Sequence, residues 1–307
     1  MTPVVDLKGP AFFDFSSRVK LRMNGADSFR FLNGQITNDL RHASTTLAIQ
    51  ASVLNAKGKL SAHVLISRDA NGTFLLDADQ ELREELPARL ERYIIADDVQ
   101  LEDVTPQFSV FHLIGDSAPD GTAAARMVAV DRFGMAGWDL WFDPTLETEV
   151  RGQLSSHFVF CEESCAEVFR IERGIPRWGR ELTNDIIPIE ANLETASIDY
   201  GKGCYIGQEV ISRMKMSGQT NKRLCGLVSR SDVPLGAGVR LYAETDAGKD
   251  AGWITSAVRS MRLGKEIALG YVKRGFNSAG THLVARANGD SETNAGIPAE
   301  VVPLPFN

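Results

Sequence analysis

The stretch Gly201-Lys202-Gly203-Cys204-Tyr205-Ile206-Gly207-Gln208-Glu209 sets three glycines around one cysteine, directly before Val210, Ile211 and Met214 on the buried side of a predicted helix. Glycines let the backbone turn tightly and approach a ligand closely. With Gly207 near the helix start, Cys204 stands just before the positive end of the helix dipole and two residues after Lys202. Both neighbours favour the thiolate, the nucleophilic and metal-binding form. The same spacing also fits a glycine-rich turn whose small cysteine packs inside, and it leaves the two readings open.

Working outward, Ser164 and Glu167 read as a capping box opening a helix from about Cys165 to Arg173, with Gly174 and Pro176 beyond its end. Phe29, Leu32, Ile36 and Leu40 recur at helical steps, with Gly34 expected to break or bend that segment. Leu60, Ala62, Val64 and Ile66 alternate as a strand, and this is where a sheet is expected to begin. Leu82, Leu86, Leu90 and Ile94 mark a further helix in which Pro87 is a kink or a first turn. Strands are expected at 108–114 and 138–142. After Lys222 the pattern changes to short alternating runs at 223–229, 239–243, 252–258, 266–273 and 281–286. The expected class is α+β, with residues 1–219 as one portion and 220–307 as an antiparallel β domain. Asn288–Ala295 reads as a mobile loop.

The chain has 307 residues, 33 Lys+Arg against 40 Asp+Glu, and a formal charge of -7, which argues against a mainly electrostatic grip on nucleic acid. Its 43% hydrophobic and 24% charged residues suit a soluble globular protein, and no apolar run reaches the roughly 18 to 20 residues of a membrane span. Neither nucleic acid nor membrane is an expected partner. Residues 1–22 lack an apolar signal core, and Asp6 and Asp14 do not fit a transit peptide. Four cysteines are too few for a disulfide framework, so a reducing, cytoplasmic location is expected. Cys161 and Cys165 are expected to pack as thiols rather than bind zinc, and Cys225 to lie in a core strand.

KGCYIGQE resembles the K-G-C-F/Y-x-G-Q-E signature of the YgfZ-type folate-binding proteins, relatives of the glycine-cleavage aminomethyltransferase that take part in iron–sulfur cluster assembly. Phe31 to Asp39 resembles that family's F-L-x-G-Q-x-T-N-D segment, and Leu54 to Lys59 its N-x-K-G-K turn. Arg170 to Pro176, Ile187 to Leu193 and Asn221-Lys222-Arg223 match R-x-x-x-G-I-P, P-x-E-x-N-L and N-K-R. The resemblance covers roughly residues 20–225. It implies an aminomethyltransferase-like folate-binding fold in two lobes followed by a small β-barrel. One departure matters: where the aminomethyltransferase carries paired aspartates, one of them catalytic, this chain has Ala62 and His63. His63 itself is expected to face solvent or to be a hydrogen-bonded core residue.

The resemblance implies tetrahydrofolate, with or without a polyglutamate tail, as cofactor. A carboxylate suits the pterin amino edge, and Glu190 is the candidate, with Asn192 from the same segment. Trp178 and Tyr205 are candidates to stack on a ring. Lys57, Lys59, Arg213, Lys215, Lys222 and Arg223 form a candidate basic funnel for the glutamate tail. Asn33, Gln35, Asn38 and Asp39 either cap helices or reach the cavity. Cys204 would accept or guard iron, sulfur or a client thiol, with Lys202 favouring its thiolate. Gly203 and Gly207 would shape the loop, and Gln208 and Glu209 would fix it to the helix start. A single cysteine cannot hold a cluster, so no resident metal is expected, and partners would be iron–sulfur client enzymes or assembly proteins. The alternative is a folate-dependent one-carbon transferase or demethylase acting on a small amine. A cysteine hydrolase pairing Cys204 with one of five histidines has no supporting spacing.

Overall fold

Strand alternation after Lys222 buries one face of each strand, and curling the sheet on itself lets those faces meet while removing both open edges. In the computed structural model, which describes residues 9–115, 125–286 and 296–307, this part is a closed six-stranded barrel. Around it run Lys222–Ser229, Lys265–Lys273, Asp246–Ser260, Arg240–Ala243, His282–Arg286 and Ile297–Val302, each antiparallel to its neighbours. Leu227, Leu241, Ile254, Val272, Leu283 and Val301 fill its interior. The sixth strand carries Pro298, which weakens its sequence signal. Pro298 nevertheless serves as an acceptor, its carbonyl taking the Arg230 N–H at 2.9 Å. The loop expected at Asn288–Ala295, like Asp6, lies outside the described residues.

The preceding chain forms two five-stranded sheets. One has the order Val159–Cys161, Ala11–Asp14, Ser109–Ile114, Ala136–Phe142, Arg126–Asp131, with a single parallel pairing between its first two members. The other, wholly antiparallel, has the order Ile49–Leu54, Leu60–Arg68, Phe74–Ala78, Val19–Asn24, Gln100–Asp103. From Ala11 onward the described chain runs through the first sheet, builds all of the second, and returns. The sheets therefore start at Ala11 rather than near Leu60. Ala11–Phe13 and Phe74–Ala78 are buried on every residue, so they show no alternation to read.

Among the helices, Ser28–Gln35 contains Gly34 without a break and ends where Ile36 turns extended, with a second, 3-10 piece at Leu40–His42. Pro87 sits in the first turn of Glu85–Glu91, where its missing N–H has no helical partner to lose. The expected capping box does not form. The helix runs Glu163–Arg173, so Ser164 is already inside its first turn and Glu167 binds Arg170 at 2.5 Å instead of reaching back. Gly174 closes it in the left-handed conformation at φ 73°.

A second correction concerns Cys161 and Cys165, which are joined as a disulfide rather than packed as thiols. Strand Val159–Cys161 runs almost directly into the helix, and that corner brings the two Cα atoms to 5.6 Å, within the usual bridging range. Cys204 is an exposed free thiol, and Cys225 is buried in the barrel, where burial pushes its thiol up to about 11.

Buried polar contacts tie the barrel to the Glu163–Arg173 helix and the turn that follows it. Arg170 reaches Glu181 at 3.0 Å and Ser256 at 2.8 Å, Glu181 accepts from Thr255 and Ser256, and the Tyr271 hydroxyl donates to the Glu181 carbonyl at 3.0 Å.

Candidate functional site

Three motifs far apart in sequence meet at the cysteine loop. The Lys202 ammonium donates to the carbonyls of Asn33, Ile36 and Asn38 at 2.6, 2.7 and 2.8 Å, so all three of its protons are used. Burial lowers its pKa to about 8, so it remains largely protonated at neutral pH. The Ile206 and Asp199 N–H groups donate to the Gly34 and Thr37 carbonyls at 3.2 and 3.1 Å. Gly207 has φ 85°, and a Cβ there would stand 2.7 Å from the Asn55 carbonyl. Gly58 has φ 72°, with Val210 as close. Both glycines are required by the approach of the two turns.

This packing leaves Cys204 exposed just before the Gln208–Ser217 helix, as the spacing implied. Tyr205 is buried, with the Lys202 ammonium 5.3 Å from its ring centre. The Gln208 N–H donates to the Tyr205 carbonyl at 3.2 Å, closing the loop onto the helix. Glu209 instead pairs with Arg213 one turn further along the exposed face.

The residues of the first motif are mostly occupied within the protein. Asn33 Oδ1 accepts the Leu40 N–H at 3.0 Å, Gln35 accepts from Arg89 at 3.0 Å, and Asn38 Nδ2 donates to the Gln50 carbonyl at 2.8 Å. Asp39 is held near pKa 2, chiefly by its hydrogen bonds from Arg41. Ligand atoms of Asp39, His42 and Asp199 also come within 4.8 Å of one another beside this loop.

A cavity of about 740 Å³ opens elsewhere, where the two sheets, the Glu163–Arg173 helix and the turns at 174–177 and 191–193 converge. Phe13, Phe15 and Phe133 line one side, and His63, Gln50, Asp79 and Arg177 are among its polar residues. No residue of 201–209 lines it. Of the folate candidates, Asn192 alone does so, holding a left-handed turn at φ 61° while donating to the Leu224 carbonyl and accepting from Arg223. Glu190 lies buried, accepting the Ile187 N–H at 3.2 Å and pairing with Lys222 at 3.3 Å. Trp178 packs in the main core, and Lys57 is exposed at the 55–59 turn. None of Lys57, Lys59, Arg213, Lys215, Lys222 and Arg223 lines the cavity.

Its own cations are already paired. Arg18 binds Asp77 and Asp79, both at 2.5 Å, and Arg132 binds Asp139 at 2.6 Å and Asp77 at 3.1 Å. Arg170 is taken by Glu167 and Glu181, and Arg177 by Glu167 at 3.4 Å. Glu81, Asp131, Glu162 and Glu163 line the cavity with no cationic partner among the described residues. The lining is therefore acidic. Apart from Asn192, sequence reasoning named none of the lining residues as a ligand contact, since most come from segments scattered between positions 13 and 196 with no shared motif.

Residues 8–135 match the GCVT N-terminal domain, and residues 222–307 match the glycine cleavage T-protein C-terminal barrel domain. This chain belongs to the glycine cleavage T-protein family. Within the family it is 28% identical to an iron-sulfur cluster assembly factor IBA57 homolog, mitochondrial, of Dictyostelium discoideum, over 69% of this chain and 61% of that one. It thus spans less than two thirds of that relative's length. It is 27% identical to the tRNA-modifying protein YgfZ of Aliivibrio fischeri over 68% of each chain. The glycine cleavage system aminomethyltransferase T of Bartonella henselae superposes with a TM-score of 0.83 at 18% identity, covering 97% of this chain and 86% of that one. The family fold, with its closed antiparallel barrel, extends through the whole chain.

Proposed function

We propose that this protein is a tetrahydrofolate-binding accessory factor for the assembly or repair of iron–sulfur enzymes, acting in the cytoplasm. The observation that carries the reading is the exposed Cys204 thiol on a loop held rigidly by the three hydrogen bonds of Lys202. A thiol presented this way can offer one sulfur ligand to an iron–sulfur cargo, the remaining ligands coming from the partner. Lys202 acts by fixing the loop, since its protons are spent on carbonyls. The names of the two curated relatives, an iron–sulfur assembly factor and a tRNA-modifying protein, support a role in one of these two processes. A formal charge of -7 argues for work through protein partners rather than an electrostatic hold on RNA.

The folate belongs in the cavity, whose volume and aromatic wall suit a flat ring and whose Asn192 ties the wall to the barrel. Methylene transfer is the weaker use of that site, because His63 stands where a carboxylate would be needed to hold a reacting amine. The test is complementation of a strain lacking this protein, scored by iron–sulfur enzyme activities. Cys204→Ala is expected to fold normally and fail to restore them. Full restoration by that variant would remove the role assigned to the thiol.

A further inference from the structure

His63 lies in strand Leu60–Arg68 between Ala62 and Val64, both fully buried on the opposite face. Strand alternation turns His63 and Leu65 the other way, and both line the cavity. Neither ring nitrogen of His63 has a hydrogen bond among the described residues, and Nε2 is in addition shielded from solvent. The acids nearest in charge, Asp77 and Asp79, are taken by Arg18 and Arg132. Among cavity-lining side chains, Arg177 Nε is also buried without a partner.

A buried polar atom left without a partner costs about 1–3 kcal/mol, and native structures keep few of them unless a bound molecule completes the set. We propose that His63 is a ligand-binding residue of the cavity, supplying its imidazole as hydrogen-bond partner to the polar edge of a flat heteroaromatic ring lying against Phe13, Phe15 and Phe133. This rests on the folate reading above. A neutral imidazole carries one donor and one acceptor nitrogen that point in different directions, so one of them can meet either the N–H or the acceptor of an amide-type edge, as on a pterin. Arg177 Nε adds a donor. The unpaired Glu81, Glu162 and Glu163 disfavour a ligand that presents an anion to the lining. The class selected is a neutral, amide-edged bicycle.

The experiment is an anaerobic calorimetric titration of the full-length protein, His63→Leu and His63→Gln with tetrahydrofolate. It is paired with imidazole nitrogen NMR shifts of the unsubstituted protein. His63→Leu is expected to bind about tenfold more weakly, the loss of one net hydrogen bond. His63→Gln, whose amide reaches the position of Nε2, is expected to restore most of the affinity, and the His63 nitrogen shifts are expected to move on saturation. Equal binding by the wild type and His63→Leu, or loss in both variants with unmoved nitrogen shifts, overturns this inference and leaves the folate reading intact. No binding by the unsubstituted protein overturns both.

Discussion

Lys202 Nζ lies 2.7 Å from the Ile36 carbonyl oxygen, 166 residues earlier in the chain, and its other two protons go to the carbonyls of Asn33 and Asn38. The end of the Ser28–Gln35 helix leaves carbonyls without helical partners, and one ammonium satisfies the turn that follows. Removing that ammonium strands three carbonyls. Lys202→Met is therefore expected to destabilise the protein by about 3 kcal/mol, with hydrogen bonds to a charged donor at about 1.5–3 kcal/mol each and partial rehydration offsetting the rest. Urea unfolding midpoints check this, and an unchanged midpoint would contradict the anchoring role.

Cys204 has the opposite profile. It is exposed, and among the described residues no hydrogen bond or disulfide uses its sulfur, so Cys204→Ser is expected to shift stability by less than about 0.5 kcal/mol while abolishing complementation. Thermal unfolding and the complementation assay together separate the two effects.

Burial, reinforced by Arg18 and Arg132, lowers the His63 pKa to about 4 from its ordinary 6.5. Between these values the unfolded chain binds a proton at His63 that the folded chain refuses, so stability falls as pH falls from 6.5 to about 4 and levels off below. The contribution is about 3 kcal/mol. His63→Gln is expected to lose correspondingly less over this interval. His112, also lowered by burial, titrates in both proteins and cancels in the comparison. Urea midpoints at pH 7, 5.5 and 4.5 provide the measurement, and parallel pH profiles would count against the buried imidazole.

The six basic residues expected to form a funnel lie off the cavity, while the arginines in its lining are all carboxylate-paired. Lengthening the glutamate tail is thus expected to leave tetrahydrofolate affinity unchanged within about threefold, with little dependence on salt. Calorimetry with mono- and tetraglutamylated ligand tests this, and marked tightening with tail length would place the tail on a basic surface after all.

Thiol counting tests the Cys161–Cys165 bond. In non-reducing buffer one thiol, Cys204, is expected to react in the native protein and two after denaturation, rising to four after reduction. Four reactive thiols in denatured, unreduced protein would show the pair to be open.

Local pattern carried the barrel and the cysteine loop. Five barrel strands announce themselves because alternate residues face core and solvent at a fixed period of two, and Gly207 before Val210, Ile211 and Met214 marks a helix start by chemistry that acts within one turn. The sixth strand was hidden by Pro298, and Ala11–Phe13 by burial of every residue. The cavity could not be read in this way. It is the space left between two sheets, a helix and two turns, and its walls are set by how those elements pack.

The sequence by itself determined the α+β class, the C-terminal β domain and the position of Cys204 ahead of its helix. Tertiary structure alone decided that Lys202 anchors the loop and that the Cys204 loop does not line the cavity. It alone joined Cys161 to Cys165 and left His63 facing the cavity without a partner among the described residues. The physical reason is range: periodicity and capping act over a few residues, whereas these relationships depend on groups brought together by packing from distant parts of the chain.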